Sequence, residues 1–293
     1  MKARDGSDGT RTDLTTLSLF AVASMATVAF GSAGLALSGA GQDIWLRNPA
    51  AWLAGLTIAG LILTAGRSAW LATGAILVAP SALLATLLSP AQSGVHRWVD
   101  AGPLHINMAA LVLPVTVVAL ATVNRTAPLF LGVTCLIGLI LVVQPDASQA
   151  TAFLLASELL LLRSCMSKAT KIAGSVAAAA LIAASWLRPD PLEPVPEAEG
   201  IFPLLAGVSP ALAVLAALGL AVCSLIPLRR AFVFGGEAAV AAKALALYCV
   251  AAALAPAAGA FPVPLVGVGM SFPVGYWMAV ALLCARASRP AGS

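Results

Sequence analysis

Arg188 to Phe202 reads RPDPLEPVPEAEGIF, and on either side of it the chain is apolar for a helix length or more. The stretch carries Asp190, Glu193, Glu197 and Glu199 in a chain of which only 10% is charged. Pro189, Pro191, Pro194 and Pro196 forbid a helix, because each lacks an N–H and restricts the residue before it. An acidic, stiffened loop between long apolar runs is a connector at a membrane surface. Composition alone leaves open whether it is solvated filler or part of a site for a polar substrate.

Working outward, the apolar runs repeat along all 293 residues, and 60% of the chain is hydrophobic with a mean hydropathy of +0.98. A soluble domain is about 45–50% apolar and about 25% charged. Runs near the roughly 20 residues that cross a bilayer fall at 14–37, 50–66, 69–88, 104–123, 127–143, 150–163, 169–187, 201–227, 238–258 and 264–285. The expectation is an all-α polytopic membrane protein of about ten spans. The first run is too long for a signal-peptide core and reads as a retained helix. Residues 1–13 read as a polar tail, 14–286 as one transmembrane domain and 287–293 as a second tail. Cys135, Cys165, Cys223, Cys249 and Cys284 stand singly with no C-x-x-C spacing, so they read as packing residues.

Orientation follows from the cations. With the N-terminus inside, the inner segments hold Lys2, Arg4, Arg11, Arg67, Arg125, Arg163, Lys168, Lys171, Arg229, Arg230, Lys243, Arg286 and Arg289. The outer segments hold only Arg47, Arg97 and Arg188. That asymmetry predicts two cytoplasmic termini and an outward acidic loop. The +4 net charge is then topology and calls for no nucleic acid. Asp43, Asp100, Asp146, Asp190, Glu193, Glu197, Glu199, His96 and His105 gather on the outer side. Glu158 falls within a span and Lys243 lies one to two turns inside another; such charges are costly and point to function, although Lys243 is placed to snorkel.

Three further outer features stand out. Gly94 to His105 (GVHRWVDAGPLH) sets Arg97 beside Trp98, a pair suited to phosphate and headgroup depth or to simple interfacial anchoring. Gln144-Pro145-Asp146 breaks a helix end, which is tolerated only where the break is buried in protein or faces a wet cavity. Phe261 to Ser271 (FPVPLVGVGMS) reads as an extended re-entry into the last helix. Its glycines lack the Gly-Lys-Ser/Thr of a phosphate loop. Gly269-Met270-Ser271 imitates a serine nucleophile motif, but both histidines lie far upstream.

In order and spacing these loops resemble the SEDS family (shape, elongation, division and sporulation), of the RodA/FtsW type. Gly41-Gln42-Asp43-Ile44 is similar to its G-Q-D-I. Gly94, Arg97, Trp98, Asp100 and Gly102 are similar to its G-x-x-R-W-x-D-x-G, Gln144-Pro145-Asp146 to its Q-P-D, and Pro262 to Ser271 to its P-L-P-F-I-S-Y-G-G-S. Where the family continues Q-P-S-E-x-x-K, this chain has Asn107-Met108-Ala109-Ala110, and the Glu and Lys are absent. The family's long outer loop ends P-E-x-H-T-D-F-I-F, with an essential Asp; here the end reads Pro196-Glu197-Ala198-Glu199-Gly200-Ile201-Phe202. Anchored on Pro196-Glu197, Glu199 takes the His position; anchored on Ile201-Phe202, it takes the Asp.

The resemblance implies a ten-span fold in the bacterial cytoplasmic membrane, with the active face outward. It also implies polymerisation of lipid II and a class B penicillin-binding protein as partner, and it brings in a divalent cation, Mg or Mn. On that reading Glu199 or Glu197 is the catalytic base. Arg97, Trp98, Asp100, Gln144, Asp146, Arg188 and Ser271 bind substrate, and repulsion between Glu197 and Glu199 raises one carboxyl's pKa. The shortened loop and lost polar positions keep two alternatives open: a degenerate paralogue that binds a lipid-linked precursor or a cell-wall partner, and a lipid-carrier flippase.

Overall fold

The computed structural model describes residues 6–65, 69–102, 104–122 and 126–286. Lys2, Arg4, Arg67, Arg125 and Arg289 of the cation count, Pro103 and the 287–293 tail lie outside them. The described residues form a helical bundle of α1 (Gly6–Leu37), α2 (Gln42–Trp45), α3 (Arg47–Ala65), α4 (Ala69–Thr86), α5 (Met108–Thr122), α6 (Ala127–Val143), α7 (Ala147–Leu162), α8 (Lys168–Leu187), α9 (Ile201–Val208), α10 (Pro210–Leu225), α11 (Leu228–Val233), α12 (Gly236–Leu254) and α13 (Ser271–Arg286). Among the described residues, five helical segments are long and apolar enough to cross a membrane, and five shorter apolar helices fill the remaining expected spans. In lipid every backbone polar group must be satisfied within the chain, and a helix does that locally. The protein is an all-α polytopic membrane protein.

Helix starts and stops differ from the sequence reading where packing or turn chemistry overrides hydropathy. α1 is already helical at Gly6, the first described residue, inside the stretch read as a tail. Asp13 is buried against Arg230 of α11, with Oδ1 2.9 Å from Nη2, and Arg230 also donates to the Leu283 carbonyl of α13. The expected span at 104–123 loses its first turn to a hairpin of β1 (Trp98–Ala101) and β2 (Leu104–Asn107), paired Trp98 to Asn107 and Asp100 to His105. Gly102 sits at φ +62° in its turn, a conformation glycine adopts without a Cβ penalty. The run 201–227 is two helices, α9 and α10, because Pro210 opens α10 after the extended Ser209. The last helix starts at Ser271, seven residues after the expected boundary.

α13 is the central element. It packs on α3 and α5, while α12 packs on α5 and α7, and α1 on α10. Phe20 and Trp52 meet Trp277 edge-on at 5.0 and 5.5 Å between ring centroids, and Trp52 Nε1 donates to Ser24 Oγ at 2.8 Å. Gly275 lets α13 lie directly on α5, since a Cβ there would overlap the Ala110 carbonyl. This packing brings the 261–270 re-entry beneath the acidic loop.

Candidate functional site

Four stretches far apart in the chain line one cleft at one end of the bundle. Its walls include Arg97, Trp98, Asn107, Asp146, Gln149, Glu193, Glu199 and Phe272, and its free volume is about 30 Å³. A drug-sized ligand pocket is about 300–1,000 Å³, so in this state the cleft is too small for a sugar. The 190–199 segment forms one wall.

Arg97 organises the cleft. It is buried, with its side chain 5% exposed, and its Nε donates to the Gln144 carbonyl at 3.0 Å. Its Nη2 donates to the Pro145 carbonyl and, at 2.6 Å, to Asp190 Oδ2. The guanidinium therefore ties the Gln-Pro-Asp break to the acidic loop, and it is no lipid-facing anchor. Most polar groups of the break are paired, Gln144 Oε1 being a buried oxygen with no hydrogen-bond partner among the described residues. Gln144 Nε2 donates to the Leu83 carbonyl and to Thr86 Oγ1, at 3.0 and 2.6 Å. Asp146 caps α7, accepting from Gln149 N–H at 3.1 Å and from Ser148 Oγ at 2.8 Å. Gln149 in turn accepts from the Tyr248 hydroxyl at 2.5 Å.

The acidic loop is held from below by backbone. Val263 N–H donates to the Ala198 carbonyl at 3.3 Å and Val268 N–H to the Glu197 carbonyl at 2.8 Å. Gly267 permits this approach, because a Cβ would overlap the Ala198 carbonyl. Asn48 of α3 fixes the re-entry: its Nδ2 donates to the Gly267 carbonyl at 2.8 Å, and its Oδ1 accepts from Gly269 N–H at 2.9 Å.

Glu199 is half-buried, and its Oε2 accepts from Val195 N–H at 2.9 Å. Burial raises its carboxyl above its ordinary pKa; the backbone hydrogen bonds and the Arg97 charge pull it back, and Asp190 adds a smaller upward push. The expected repulsion by Glu197 is not the cause. Burial dominates, and the acidic neighbour that counts is Asp190. Glu197 contributes a carbonyl to the loop's anchoring, and its side chain is not among those lining the cleft.

The remaining expected site residues divide. Trp98 lines the cleft. Asp100 is exposed on the hairpin and pairs with His105 Nδ1 at 2.6 Å. Arg188 is exposed at the C-cap of α8 and does not line the cleft. Ser271 is buried, in a neighbouring hollow of about 160 Å³ lined also by Arg47, His105 and Asn107. The two hollows share Trp98, Asn107, Pro262 and Phe272. Asn107 and Gln149 line the cleft without having been expected as site residues, and Asp190 and Glu193, noted only as acids of the loop, stand beside Arg97 and in the cleft wall respectively. Asn107 had a signal: an Asn before a helical run is an N-cap, and its Oδ1 accepts from Ala110 N–H at 2.9 Å. Nothing in the sequence joins Asp190 to Arg97.

The donors do not build a divalent-cation site in this state. Among the described residues no three His, Cys, Asp or Glu side chains converge as metal ligands. Asp146 spends an oxygen on its helix cap and Asp190 one on Arg97.

No protein-family model matches the sequence, and no curated protein matches it either. Among solved structures it is similar to the rod shape determining protein RodA of Thermus thermophilus, with a TM-score of 0.63. The two share 17% identity over 91% of this chain and 94% of that one. An Asp-to-Ala mutant of the same RodA matches with a TM-score of 0.60, at 19% identity over 91% and 95% of the two chains. The chain has the fold of RodA. That bears out the expected architecture, and the cleft lies within the RodA-like bundle.

Proposed function

We propose that this protein is a SEDS-type glycosyltransferase that polymerises lipid II on the outer face of the bacterial cytoplasmic membrane, beside a class B penicillin-binding protein. The observation that carries the reading is the convergence of 97–98, 107, 146–149, 193–199 and 260–272 on one cleft that contains a half-buried carboxylate. Glu199 accepts the proton of the acceptor hydroxyl as that oxygen bonds to the anomeric carbon. The bond from the anomeric carbon to the lipid diphosphate breaks, and its electron pair leaves on the diphosphate oxygen. A base raised by burial is a stronger proton acceptor than an ordinary carboxylate. Arg97 lines the cleft and is the cationic charge proposed to meet the leaving group, and Arg47 lines the adjoining hollow.

The loop must open before substrate enters, because about 30 Å³ holds no sugar. Release of Asp190 from Arg97 is the step that frees the guanidinium for diphosphate. A second reading has its own observation: Arg97 is already matched by two carbonyls and Asp190, which suits a protein that binds a lipid-linked precursor or a partner without polymerising. Purified protein incubated with labelled lipid II, with and without a class B penicillin-binding protein, separates the two. Glycan strands support the polymerase, binding without strands supports the second reading, and transfer across vesicles supports a flippase.

A further inference from the structure

At the opposite end of the bundle, the α7–α8 and α11–α12 connections enclose a cleft of about 820 Å³. Its lining includes Arg163, Ser164, Gly235, Gly236, Glu237 and Lys243. Arg163, at the C-cap of α7, and Lys243 of α12 are both exposed, and neither side chain has an ion-pair or hydrogen-bond partner among the described residues. Lys243 is the eighth residue of α12, so its Cα lies about 10 Å along the axis from the helix start at 1.5 Å per residue. A cation at that depth is costly without an anion or water to meet it, and its flexible stem reaches back toward headgroup level.

Among the described residues the charges in the lining, Arg163 and Lys243 against Glu237, sum to one net positive, which matches a singly charged phosphodiester. The volume is that of a ligand pocket, unlike the closed cleft at the other end. Exposed apolar side chains flank it: Phe232 beside Ala231 is 84% exposed and Leu162 beside Arg163 is 53% exposed. Acyl chains have a surface to lie on next to a place for the phosphate. Basic pockets between transmembrane helices are a recurrent means of holding anionic headgroups.

We propose that this cleft binds a phosphate-bearing anion, held between Arg163 and Lys243. Two sources share that chemistry: the headgroup of an anionic phospholipid and a soluble phosphate from the aqueous phase. The flanking apolar side chains favour the lipid. The site is independent of any glycosyl transfer at the other end.

Native mass spectrometry of the full chain in detergent tests it, with phosphatidylglycerol, phosphatidylcholine and inorganic phosphate as probes. The comparison is with the Arg163→Gln/Lys243→Gln double variant; unfolding temperatures confirm that both proteins are folded, as expected for two exposed positions. Phosphatidylglycerol binding that weakens about tenfold or more in the variant, with phosphatidylcholine unchanged, supports the site and assigns it to lipid; tenfold is about 1.4 kcal/mol. Inorganic phosphate that binds the parent and not the variant supports the site with a soluble source. Equal binding of every probe by parent and variant overturns it.

Discussion

Arg97 and Asp190 are the pair on which the closed cleft depends, and a double-mutant cycle measures how much. Arg97→Ala removes a charge-assisted bond to Asp190 and strands the carbonyls of Gln144 and Pro145. A buried acceptor left unsatisfied costs about 1–3 kcal/mol, and breaking a buried ion pair costs about 3–5 kcal/mol. Asp190 is 24% exposed, so water relieves part of its loss. The expected destabilisation is about 3–5 kcal/mol for Arg97→Ala. For Asp190→Asn, which leaves the guanidinium with both carbonyls and a neutral acceptor, about 1–2 kcal/mol is expected. Coupling between the two sites should be about 1.5–3 kcal/mol, well above an exposed pair's 0.2–1 kcal/mol. Arg97→Lys keeps charge and loses the planar fork, so it should fall between Arg97→Ala and the parent. Equilibrium unfolding in mixed micelles, followed by circular dichroism, gives all four corners of the cycle. Additive losses, with coupling under about 0.5 kcal/mol, would refute the clamp and return Arg97 to the role of an interfacial side chain.

Glu199→Gln should reduce strand synthesis about a hundredfold or more with membrane insertion intact, and Glu199→Asp should retain part of it. In the parent, the acid limb of the pH–rate profile should lie above the ordinary carboxylate range, since burial raises the group that must be ionised; a limb at or below that range would remove Glu199 from the role. The same shift predicts a stability contribution present below the unfolded carboxylate's pKa and lost as pH rises through the folded one, so the Gln variant should lose this pH dependence in unfolding scans. Gly267→Ala must push the Ala198 carbonyl away, costing about 1–3 kcal/mol and loosening 196–200, which limited proteolysis of that loop would report. With the native cysteines removed, Ser93→Cys should label with an impermeant thiol reagent in intact cells and Ser167→Cys should not; the reverse pattern inverts the proposed orientation.

The apolar runs made the bundle legible, because a chain in lipid has few ways to satisfy its backbone. Their internal breaks were much less so. Residues 201–227 are apolar throughout, and hydropathy alone does not register that Pro210 both opens a helix and ends the one before it. Residues 98–107 form a hairpin too short to interrupt a hydropathy window. At the site, Gln144-Pro145-Asp146 announced itself as a break needing burial, and buried is how it is found. The role of Arg97 was hidden for a different reason: its ionic partner lies 93 residues away in sequence, and only the packed bundle brings the two together. Asn48 is another such case, a single polar residue near the start of α3 whose two amide atoms hold a loop more than 200 residues later.

The Asp13–Arg230 contact bears on how the protein is made. Asp13 emerges from the ribosome well before Arg230, and Leu283, whose carbonyl takes another guanidinium hydrogen, later still. Until then each charge waits without its final partner, and in the finished bundle the Arg230 side chain is wholly enclosed. A chain whose later helices insert wrongly does not form this contact. The contact closes only when α1, α11 and α13 of the same molecule have met.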